Sequence, residues 1–506
     1  MSNSEVKELN IVYKLLNSWH STNIKYCHFK SNQHVDAGIE GETDLDILVD
    51  RAQNQKISEL LSRHGFKRFV SCLPSSYPAI EDWLGFDEAS GRLYHLHLHW
   101  QLIAGEPKFK GYRIPWENLL LESRVFDDQH NIYTSLPEQE LLLLLVRMCL
   151  KYRKRDRIRD FLKKTPFLEQ ADFANEFTWL CGRIDESKLS EISSEQLPRS
   201  ATVHINKIVR SKNISPSSFH DLRKIVLNTL KPYKTYTNTF GLFVRWFREF
   251  YVLATLLLQN KLKFFLPRRR VPATGGLFIA IVGPDGAGKS TQVKQILDWL
   301  GWKVDVGFIY FGSGDGPKSL CRAMLDRVKN VFVFEKNEKD KVTVNSINDR
   351  TEKKTSALKN FYRMLRALLL ANEKYRNLNK GMRARNKGML IVCDRYPQNQ
   401  FVGFNDGPLL NDWLDERGLL GIAARYERDV FERMSENTPD IVFKLKVSEK
   451  TASLRKTDTH PKQLLNKIDA LQSLHFKSPC QAFEVNAEDS LDDVTLKIRR
   501  IIWQQI

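Results

Sequence analysis

The stretch Leu277-Phe-Ile-Ala-Ile-Val282, followed by Gly283-Pro-Asp-Gly-Ala-Gly-Lys-Ser-Thr291, decides the fold of the second half of this chain. Its first six residues are apolar and mostly β-branched or aromatic, which predicts a strand buried on both faces. The following residues match the pattern G-x-x-x-x-G-K-S, and Gln292–Leu300 continues at a helical period. A strand, a glycine-rich loop and a helix start, in this order, predict a loop whose backbone N–H groups surround a phosphate.

The residues of this loop are the predicted nucleotide-binding residues. Its glycines let the backbone approach an anion. Lys289 would reach the β- and γ-phosphates, and the Ser290 hydroxyl would bind Mg²⁺. We therefore expect ATP and Mg²⁺ as cofactors. The expected ATP-binding residues are Gly283, Asp285, Gly286, Ala287, Gly288, Lys289, Ser290 and Thr291.

Length and charge narrow the class of protein. A chain of 506 residues is too long for one ordinary core, so we expect two or three domains. A net charge of +18 favours anionic partners: nucleotides, phosphorylated substrates, nucleic acid or an acidic membrane surface. The seven cysteines are scattered without a C-x-x-C pair, which argues for a reducing compartment and against a zinc or disulfide framework. The first residues show no apolar signal region, so we expect a cytoplasmic protein.

Two short patterns in the first half could build a second site. Alternation in Asp44-Leu-Asp46-Ile places both carboxylates on one face of a strand, where two acids could hold Mg²⁺. In Leu93–Trp100, three histidines share one face of a predicted strand, and the apolar residues share the other. The candidate residues of this second site are Asp44, Asp46 and His97.

These residues resemble the nucleotidyltransferase fold, whose D-x-D pair and third acid on a nearby strand bind two metals. The resemblance covers residues 1–130. Lys30-Ser31 takes the place of the family's Lys-Gly turn, and Asp44 and Asp46 take the place of its D-x-D pair. His97 stands where the third carboxylate belongs. A histidine can ligate one divalent metal but does not supply the negative charge of a two-metal site. We expect a degenerate binding domain of α+β fold, with active nucleotidyl transfer and a merely solvated strand face as the alternatives.

The middle of the chain is predicted to be a helical domain over residues 131–239. A long helix is expected over residues 137–164, with Pro137 in its first turn and a basic tail on a solvated face. No aromatic residues are interleaved with that tail, so nucleic acid is not an expected partner.

Residues 240–272 form an apolar and basic linker, predicted as a helix through about residue 266. A dense aromatic and leucine run ends at Leu258, and the basic residues Lys261, Lys263 and Arg268–Arg270 follow. Two interpretations stay open. The helix could pack between two domains, or it could lie in a membrane interface and give peripheral membrane contact through residues 240–270.

Residues 273–506 are predicted to be an α/β domain. Apolar strands over 277–282, 306–311, 388–394, 439–447 and 483–486 alternate with helical patterns, which indicates a parallel sheet with helices on both faces. The highly charged residues 333–356 are expected to form a mobile loop, and residues 357–386 a helix.

Four points in this domain resemble thymidylate kinase and its P-loop nucleoside-monophosphate kinase relatives. They are the phosphate loop, Asp394-Arg-Tyr396 at a strand end, Pro439-Asp440 at a strand start, and Leu454-Arg-Lys456 soon after that strand. The resemblance implies transfer of the ATP γ-phosphoryl group to a nucleoside monophosphate, dTMP in the family's case. It also implies roles for single residues. Asp285 would contact the acceptor sugar, Arg395 would contact its phosphate, and Asp394 would hold the Mg²⁺ ion through water. A lid segment would begin at Arg455 and reach to about Phe476. The expected catalytic residues are Lys289, Asp285, Arg395 and Arg455.

The acceptor side departs from the family. Phe311-Gly-Ser-Gly-Asp-Gly316 stands where thymidylate kinases carry Arg-Glu-Pro-Gly-Gly, and Pro397-Gln-Asn-Gln-Phe401 replaces the segment that stacks the base. A small phosphorylated or sugar-containing acceptor is therefore expected, and a sugar, glycan or lipid-linked molecule competes with a nucleotide. An ATP-binding scaffold without productive kinase activity is the alternative from another class.

Overall fold

The computed structural model describes residues 10–73, 75–161, 171–262, 265–312, 349–402, 407–456 and 461–506. The chain divides into two compact units. An N-terminal unit ends at Lys263 and also includes Arg268–Ala273, and a C-terminal unit comprises Phe264–Pro267 and Thr274–Ile506. The finer divisions predicted at residues 130 and 239 stay predictions.

The N-terminal unit combines two sheets of short strands with a helical region. Its strands are β1 (Tyr26–His28), β2 (Asp44–Val49), β3 (Phe66–Ser71), β4 (Ile80–Phe86), β5 (Leu93–His99), β6 (Leu102–Ala104), β7 (Tyr112–Ile114), β8 (Val125–Asp127), β9 (Ile132–Thr134) and β10 (Arg270–Pro272). Its helices are α1 (Ile11–Ser21), α2 (Val35–Ile39), α3 (Asn54–Arg63), α4 (Glu117–Glu122), α5 (Pro137–Lys151), α6 (Lys154–Phe161), α7 (Ala171–Cys181), α8 (Glu186–Gln196), α9 (Arg199–Ser211), α10 (Pro216–Thr229) and α11 (Asn238–Leu262).

Eight of these strands form one mixed sheet in the order β10-β3-β4-β5-β2-β1-β9-β8, and β6 pairs with β7 alone. The central strand β5 is parallel to β2 and antiparallel to β4. In this register His97 lies opposite Asp46 on one side and Asp82 on the other. The sheet therefore brings acids from two strands to the histidine row of a third.

Helix α1 begins at Ile11, where the Asn10 side chain accepts a hydrogen bond from the Val12 N–H; residues 1–9 lie outside the described part. One helix prediction in this unit needs correction. The helix predicted over 137–164 is not continuous. It ends at Lys151, because Tyr152 is extended (φ −67°, ψ 125°) and buried, and α6 starts two residues later.

The basic tail of that helix is not simply solvated. Arg153 is buried, and its guanidinium donates to the Pro107 carbonyl oxygen at 2.6 Å and to Glu249 Oε1 at 3.2 Å. The Arg153 N–H also donates to Asp156 Oδ2, which closes the first turn of α6. Arg153 is therefore held by groups distant in sequence, in contrast to the predicted solvated face.

Helix α11 has an inverted amphipathic arrangement. Its polar face packs on the β6–β7 hairpin of the same unit: Arg245 pairs with Glu106 at 3.0 Å, and Arg248 donates to the Lys108 carbonyl oxygen at 2.9 Å. The apolar face is turned outward, and Trp246 is 65% exposed and Phe250 68% exposed. The helix ends at Leu262, and the Arg270 of the basic cluster belongs to strand β10, where it pairs with Asp82. No described helix is long and apolar enough to cross a bilayer.

The C-terminal unit contains the predicted parallel sheet. Its strands are β11 (Phe278–Val282), β12 (Val306–Tyr310), β13 (Leu390–Asp394), β14 (Ile441–Lys446) and β15 (Gln481–Asn486). Its helices are α12 (Lys289–Gly301), α13 (Asp349–Arg385), α14 (Leu419–Glu436), α15 (Glu449–Arg455), α16 (Pro461–Ser473) and α17 (Leu491–Gln505). All neighbouring strands are parallel, in the order β12-β13-β11-β14-β15, and β11 at the centre is fully buried. The prediction of an apolar strand leading into the glycine loop is confirmed.

The charged segment predicted as a loop is only partly described. Residues 333–348 lie outside the described part of the chain, whereas residues from Asp349 onward belong to α13, a helix of 37 residues. The prediction of a loop is therefore wrong for residues 349–356. The helix predicted over 357–386 is present but starts earlier, because local charge density does not prevent helix formation in a chain of good helix formers.

Candidate phosphate-binding site and a histidine–aspartate cluster

The loop between β11 and α12 requires glycine at two positions. Gly286 and Gly288 have φ angles of +80° and +84°, in the left-handed region that residues with a side chain rarely adopt. A Cβ at Gly286 would also lie 2.6 Å from the Ala452 carbonyl oxygen of α15. The loop is thus held in a shape that directs backbone N–H groups and the start of α12 to one place, the carboxyl edge of the sheet.

Lys289 lies in this loop as a buried cation. Its Nζ donates to the Pro284 carbonyl oxygen at 2.7 Å. Burial, followed by the positive charge of Arg395, lowers the pKa of Lys289 to about 8. A nearby anion would stabilise the charged form of a lysine in such surroundings.

Ser290, in the first turn of α12, and Asp394, the last residue of β13, come together beside the end of the neighbouring strand β11. The Ser290 hydroxyl donates to Asp394 Oδ2 at 2.9 Å. The other carboxylate oxygen, Asp394 Oδ1, is buried and has no hydrogen-bond partner among the described residues. A buried carboxylate oxygen without a partner is unfavourable unless an ion or water binds it. This pair fits a Mg²⁺ ion held by the serine hydroxyl and, through water, by the aspartate.

Asp285 is held between two cations from distant parts of the C-terminal unit. Arg395 Nη2 lies 3.3 Å from Asp285 Oδ1, and Lys467 Nζ lies 2.5 Å from Asp285 Oδ2. Burial alone would raise the pKa of Asp285, but Lys467, Lys289 and Arg395 lower it. Arg395 has a positive φ of 68°, unusual for a residue with a side chain, and this turn directs the arginine toward the loop. Sequence reasoning missed Lys467, which lies inside the segment predicted as a lid.

The remaining predicted positions in this unit have structural partners. Arg455 Nη1 donates to the Ala487 carbonyl oxygen at 2.9 Å, just after the carboxyl end of β15. Asp440, at the start of β14, accepts from the Phe278 N–H at 2.7 Å and pairs with Arg385. Asp440 therefore fixes the amino ends of two strands, at the edge of the sheet opposite the phosphate loop.

The segment after Arg395 is organised by its own backbone. The buried Gln398 side chain accepts from the N–H groups of Gln400 and Phe401 and donates to the Phe401 carbonyl oxygen. Gln400 in turn exchanges two hydrogen bonds with the backbone of His475. The side chains of these glutamines are therefore held by backbone groups of their own segment and of His475.

The second candidate site centres on Asp46. One of its oxygens, Oδ1, lies 2.7 Å from Lys30 Nζ, 2.9 Å from His97 Nδ1 and 3.1 Å from His99 Nε2. Burial alone would raise the pKa of Asp46, but Lys30 and the two histidines hold it well below its usual range. Burial lowers the pKa of His99 well below its usual range and also lowers that of His97, so both rings are neutral near pH 7. Neutral imidazoles and an ionised carboxylate are suitable metal ligands.

The structure groups different residues from those predicted. Asp46, His97 and His99 have ligand atoms within 4.8 Å of one another, as a single metal ion requires. Asp44 instead pairs with His95 Nδ1 at 2.7 Å. The other nitrogen of that ring, Nε2, contacts Asp82 at 2.8 Å. Asp82, on β4, also binds Arg270 and Ser71 and escaped sequence reasoning because β4 shows no alternation.

Comparisons with known proteins cover the chain only in part. No protein-family model matches it. Over 217 residues it is 26% identical to the uncharacterized ATP-binding protein YghS of Escherichia coli K12, across 43% of this chain and 88% of that protein. It is 27% identical over 202 residues to the uncharacterized ATP-binding protein YghR of the same strain, across 39% and 76%.

Among solved structures, the thymidylate kinase of Candida albicans covers 46% of this chain and 92% of its own, with 17% sequence identity and a TM-score of 0.27. A TM-score this low adds nothing to the fold assignment, which follows from the strand order and loop geometry of the C-terminal unit. The chain is thus similar, over about two fifths of its length, to proteins named for ATP binding.

Proposed function

We propose that the chain is an ATP-dependent phosphotransferase that uses the C-terminal unit to transfer the γ-phosphoryl group to a small acceptor. The observation that carries this proposal is the convergence of Lys289, Ser290, Asp394, Arg395 and Asp285 at the carboxyl edge of one parallel sheet. Phosphoryl transfer depends on positioning and on cations near the developing charge, more than on covalent chemistry. The resemblance to two proteins named as ATP-binding supports the nucleotide part of the proposal.

Each group has a role that its position suggests. The loop N–H groups and Lys289 would bind the β- and γ-phosphates. Ser290 and Asp394 would hold Mg²⁺, which neutralises charge between these phosphates when bound. Arg395 would bind the acceptor or the transferring group, and Asp285 would orient it. Lys467 would contribute a further cation from helix α16.

The proposed acceptor is a molecule that presents both an anionic group and a hydroxyl group to Asp285, Arg395 and Lys467. A nucleoside monophosphate, with dTMP as the case suggested by resemblance, meets this requirement. A sugar, glycan or lipid-linked phosphate meets this requirement as well. The segment after Arg395 favours this second class of acceptor, because its glutamine side chains are engaged in hydrogen bonds with backbone groups. The competing function, an ATP-binding scaffold, requires none of the acceptor-side cations.

One experiment tests the assignment and separates these acceptors. The full chain is incubated with Mg²⁺ and γ-labelled ATP, together with nucleoside monophosphates, sugars, sugar phosphates and lipid-linked phosphates in separate reactions. We expect label in one acceptor class at a rate far above ATP hydrolysis. Tight ATP binding without label in any acceptor would favour the scaffold.

We also propose that α11 brings the enzyme to a membrane surface from the cytoplasmic side. A helix in a water-soluble protein normally buries its apolar face, and α11 does the opposite. Its outward stripe of Phe243, Trp246, Phe247 and Phe250 has the aromatic character typical of interfacial helices, and the net charge of +18 suits an anionic surface. A protein surface that covers the stripe is the alternative.

A further inference from the structure

The N-terminal unit contains a cavity of about 180 Å³ whose lining carries more basic than acidic side chains. It is bordered by the loop after β1, by the β6–β7 hairpin and by α5. Four cations line it: Lys30, Lys110, Arg147 and Lys151. His99 of the Asp46 cluster forms part of the same wall.

Acidic groups balance these cations only in part. Among the described residues that line the cavity, the acid is Glu106, and Arg153 and Arg245 bind its carboxylate at 3.4 and 3.0 Å. Asp46 pairs with Lys30, and Glu176 lies 3.9 Å from Arg147, the limit of an ion pair. Charges of one sign gathered in a low-dielectric concavity produce a strong local field that attracts a counter-ion.

Lys110 shows the imbalance most clearly. No described carboxylate forms an ion pair with its ammonium group, whose nitrogen lies 4.6 Å from the centroid of the Tyr77 ring. Burial, followed by the charge of Lys30, lowers the pKa of Lys110 to about 7. Placing a cation among other cations destabilises the folded protein, so the arrangement suggests a ligand rather than a structural role.

We propose that this cavity is a second anion site, separate from the phosphate loop, and that it binds a compact phosphate-bearing anion between Lys30, Lys110 and Arg147. The planar guanidinium of Arg147 can bind two phosphate oxygens at once, and the two lysines supply point charges to the others. The volume suits a phosphate or diphosphate group with a small part of whatever carries it. The proposal does not depend on kinase activity in the other unit.

The test uses inorganic pyrophosphate as the probe and the full chain carrying Lys289→Ala, so that the phosphate loop binds it less. Calorimetric titration without divalent metal compares this parent with chains that add Lys110→Met, Arg147→Met or, as the control, Lys188→Met. Lys188 is exposed on α8 of the same unit, so the control removes the same charge elsewhere. We expect Lys110→Met and Arg147→Met to weaken binding at least about tenfold, the effect of one lost charge-assisted hydrogen bond. The control should leave binding unchanged.

Thermal unfolding distinguishes a lysine that binds a ligand from a lysine that only stabilises the fold. Lys110→Met should keep or raise the melting temperature, because it removes a partly buried cation that forms no ion pair with a described carboxylate. Pyrophosphate should raise the melting temperature of the parent and of the control, but not that of Lys110→Met. Succinate serves as a carboxylate probe of similar size and should bind more weakly than pyrophosphate.

Three results would overturn the proposal: affinity for pyrophosphate that Lys110→Met and Arg147→Met do not change relative to the control, succinate binding as tight as that of pyrophosphate, or a lowered melting temperature for Lys110→Met with no effect of pyrophosphate on the parent.

Discussion

Lys467 Nζ lies 2.5 Å from Asp285 Oδ2, although 182 residues separate the two in sequence. Asp285 belongs to the phosphate loop and Lys467 to α16, in the segment that the sequence suggested as a lid. The pair therefore joins helix α16 to the phosphate loop. It also places a cation beside the carboxylate proposed to orient the acceptor.

This contact leads to a prediction about the acceptor. Lys467→Met should raise the KM for the acceptor about tenfold or more, because one charge-assisted contact is lost and Asp285 is left with Arg395 alone. The KM for ATP should change little. The control is Lys462→Met at the start of the same helix, which is exposed. Equal effects of the two substitutions on both KM values would show that Lys467 acts only through the surface charge of α16.

Asp394→Asn should increase the Mg²⁺ concentration needed for half-maximal activity by about tenfold to a hundredfold, as is typical when a residue that supports a metal ion indirectly is replaced. The carboxylate has one oxygen bound by Ser290 and a second, buried one without a described partner. Activity is measured across a Mg²⁺ titration at saturating ATP. Asp298→Asn, an exposed position on α12, is the control. An unchanged Mg²⁺ requirement in Asp394→Asn would remove this residue from the metal site.

ATP binding should take up protons at pH values near 8. The pKa of Lys289 is about 8 in the protein without nucleotide, and phosphate oxygens favour the charged form of the lysine. A group that is protonated on binding gives an affinity that is highest below its free pKa and falls as the pH rises above it. Calorimetry in two buffers of different ionisation enthalpy measures the proton count directly. Release of protons, or an ATP affinity that increases above pH 8, would contradict this assignment.

The Asp46 cluster should bind one divalent metal ion at most, and it should do so without Asp44. Lys30 shares the oxygen that a metal would take, so binding must displace its ammonium group. Titration with Zn²⁺ or Mn²⁺ in the absence of nucleotide should therefore lose affinity at least about tenfold in Asp46→Asn. Asp44→Asn should bind as the parent does, since Asp44 pairs with His95. Two sites in the N-terminal unit, or equal losses in both variants, would favour the pair suggested by the sequence.

The aromatic face of α11 gives a prediction about location. The full chain should sediment with anionic liposomes at low salt and much less with neutral liposomes or at high salt. Trp246→Ser combined with Phe250→Ser should abolish this binding, whereas Phe361→Ser, an exposed aromatic on α13, should not. No sedimentation of the parent with anionic vesicles would mean that a protein surface covers the stripe.

How far the sequence predicts the structure depends on how local each feature is. The phosphate loop was predictable because Gly283 to Ser290 are adjacent, and their spacing alone sets the turn and the helix start. Asp394 was predicted from the resemblance, and its position at the end of a parallel strand next to β11 agrees with that prediction. Lys467 was not, because its contact depends on how a distant helix packs.

The N-terminal unit shows the same limit. The histidine row on β5 could be predicted from alternation, but its acidic neighbours depend on sheet order. Asp82 joins the row because β4 lies beside β5 in antiparallel register, which no local pattern indicates. For α11, periodicity identifies two faces but not which one is buried. Its ion pairs with Glu106 and Arg153 decide that, and both partners lie far away in sequence.

The most direct test of the central claim compares Lys289→Met with Lys294→Met in the transfer of label from γ-labelled ATP to the acceptor found in the panel. Both substitutions remove one lysine charge from α12, but Lys294 is exposed. Loss of one preorganised cation at the transferring group should lower kcat about a hundredfold to a thousandfold in Lys289→Met, with an unchanged thermal unfolding temperature. Lys294→Met should match the parent. Transfer by a folded Lys289→Met at the parent rate would contradict the assignment of this chain as a phosphotransferase acting through its phosphate loop.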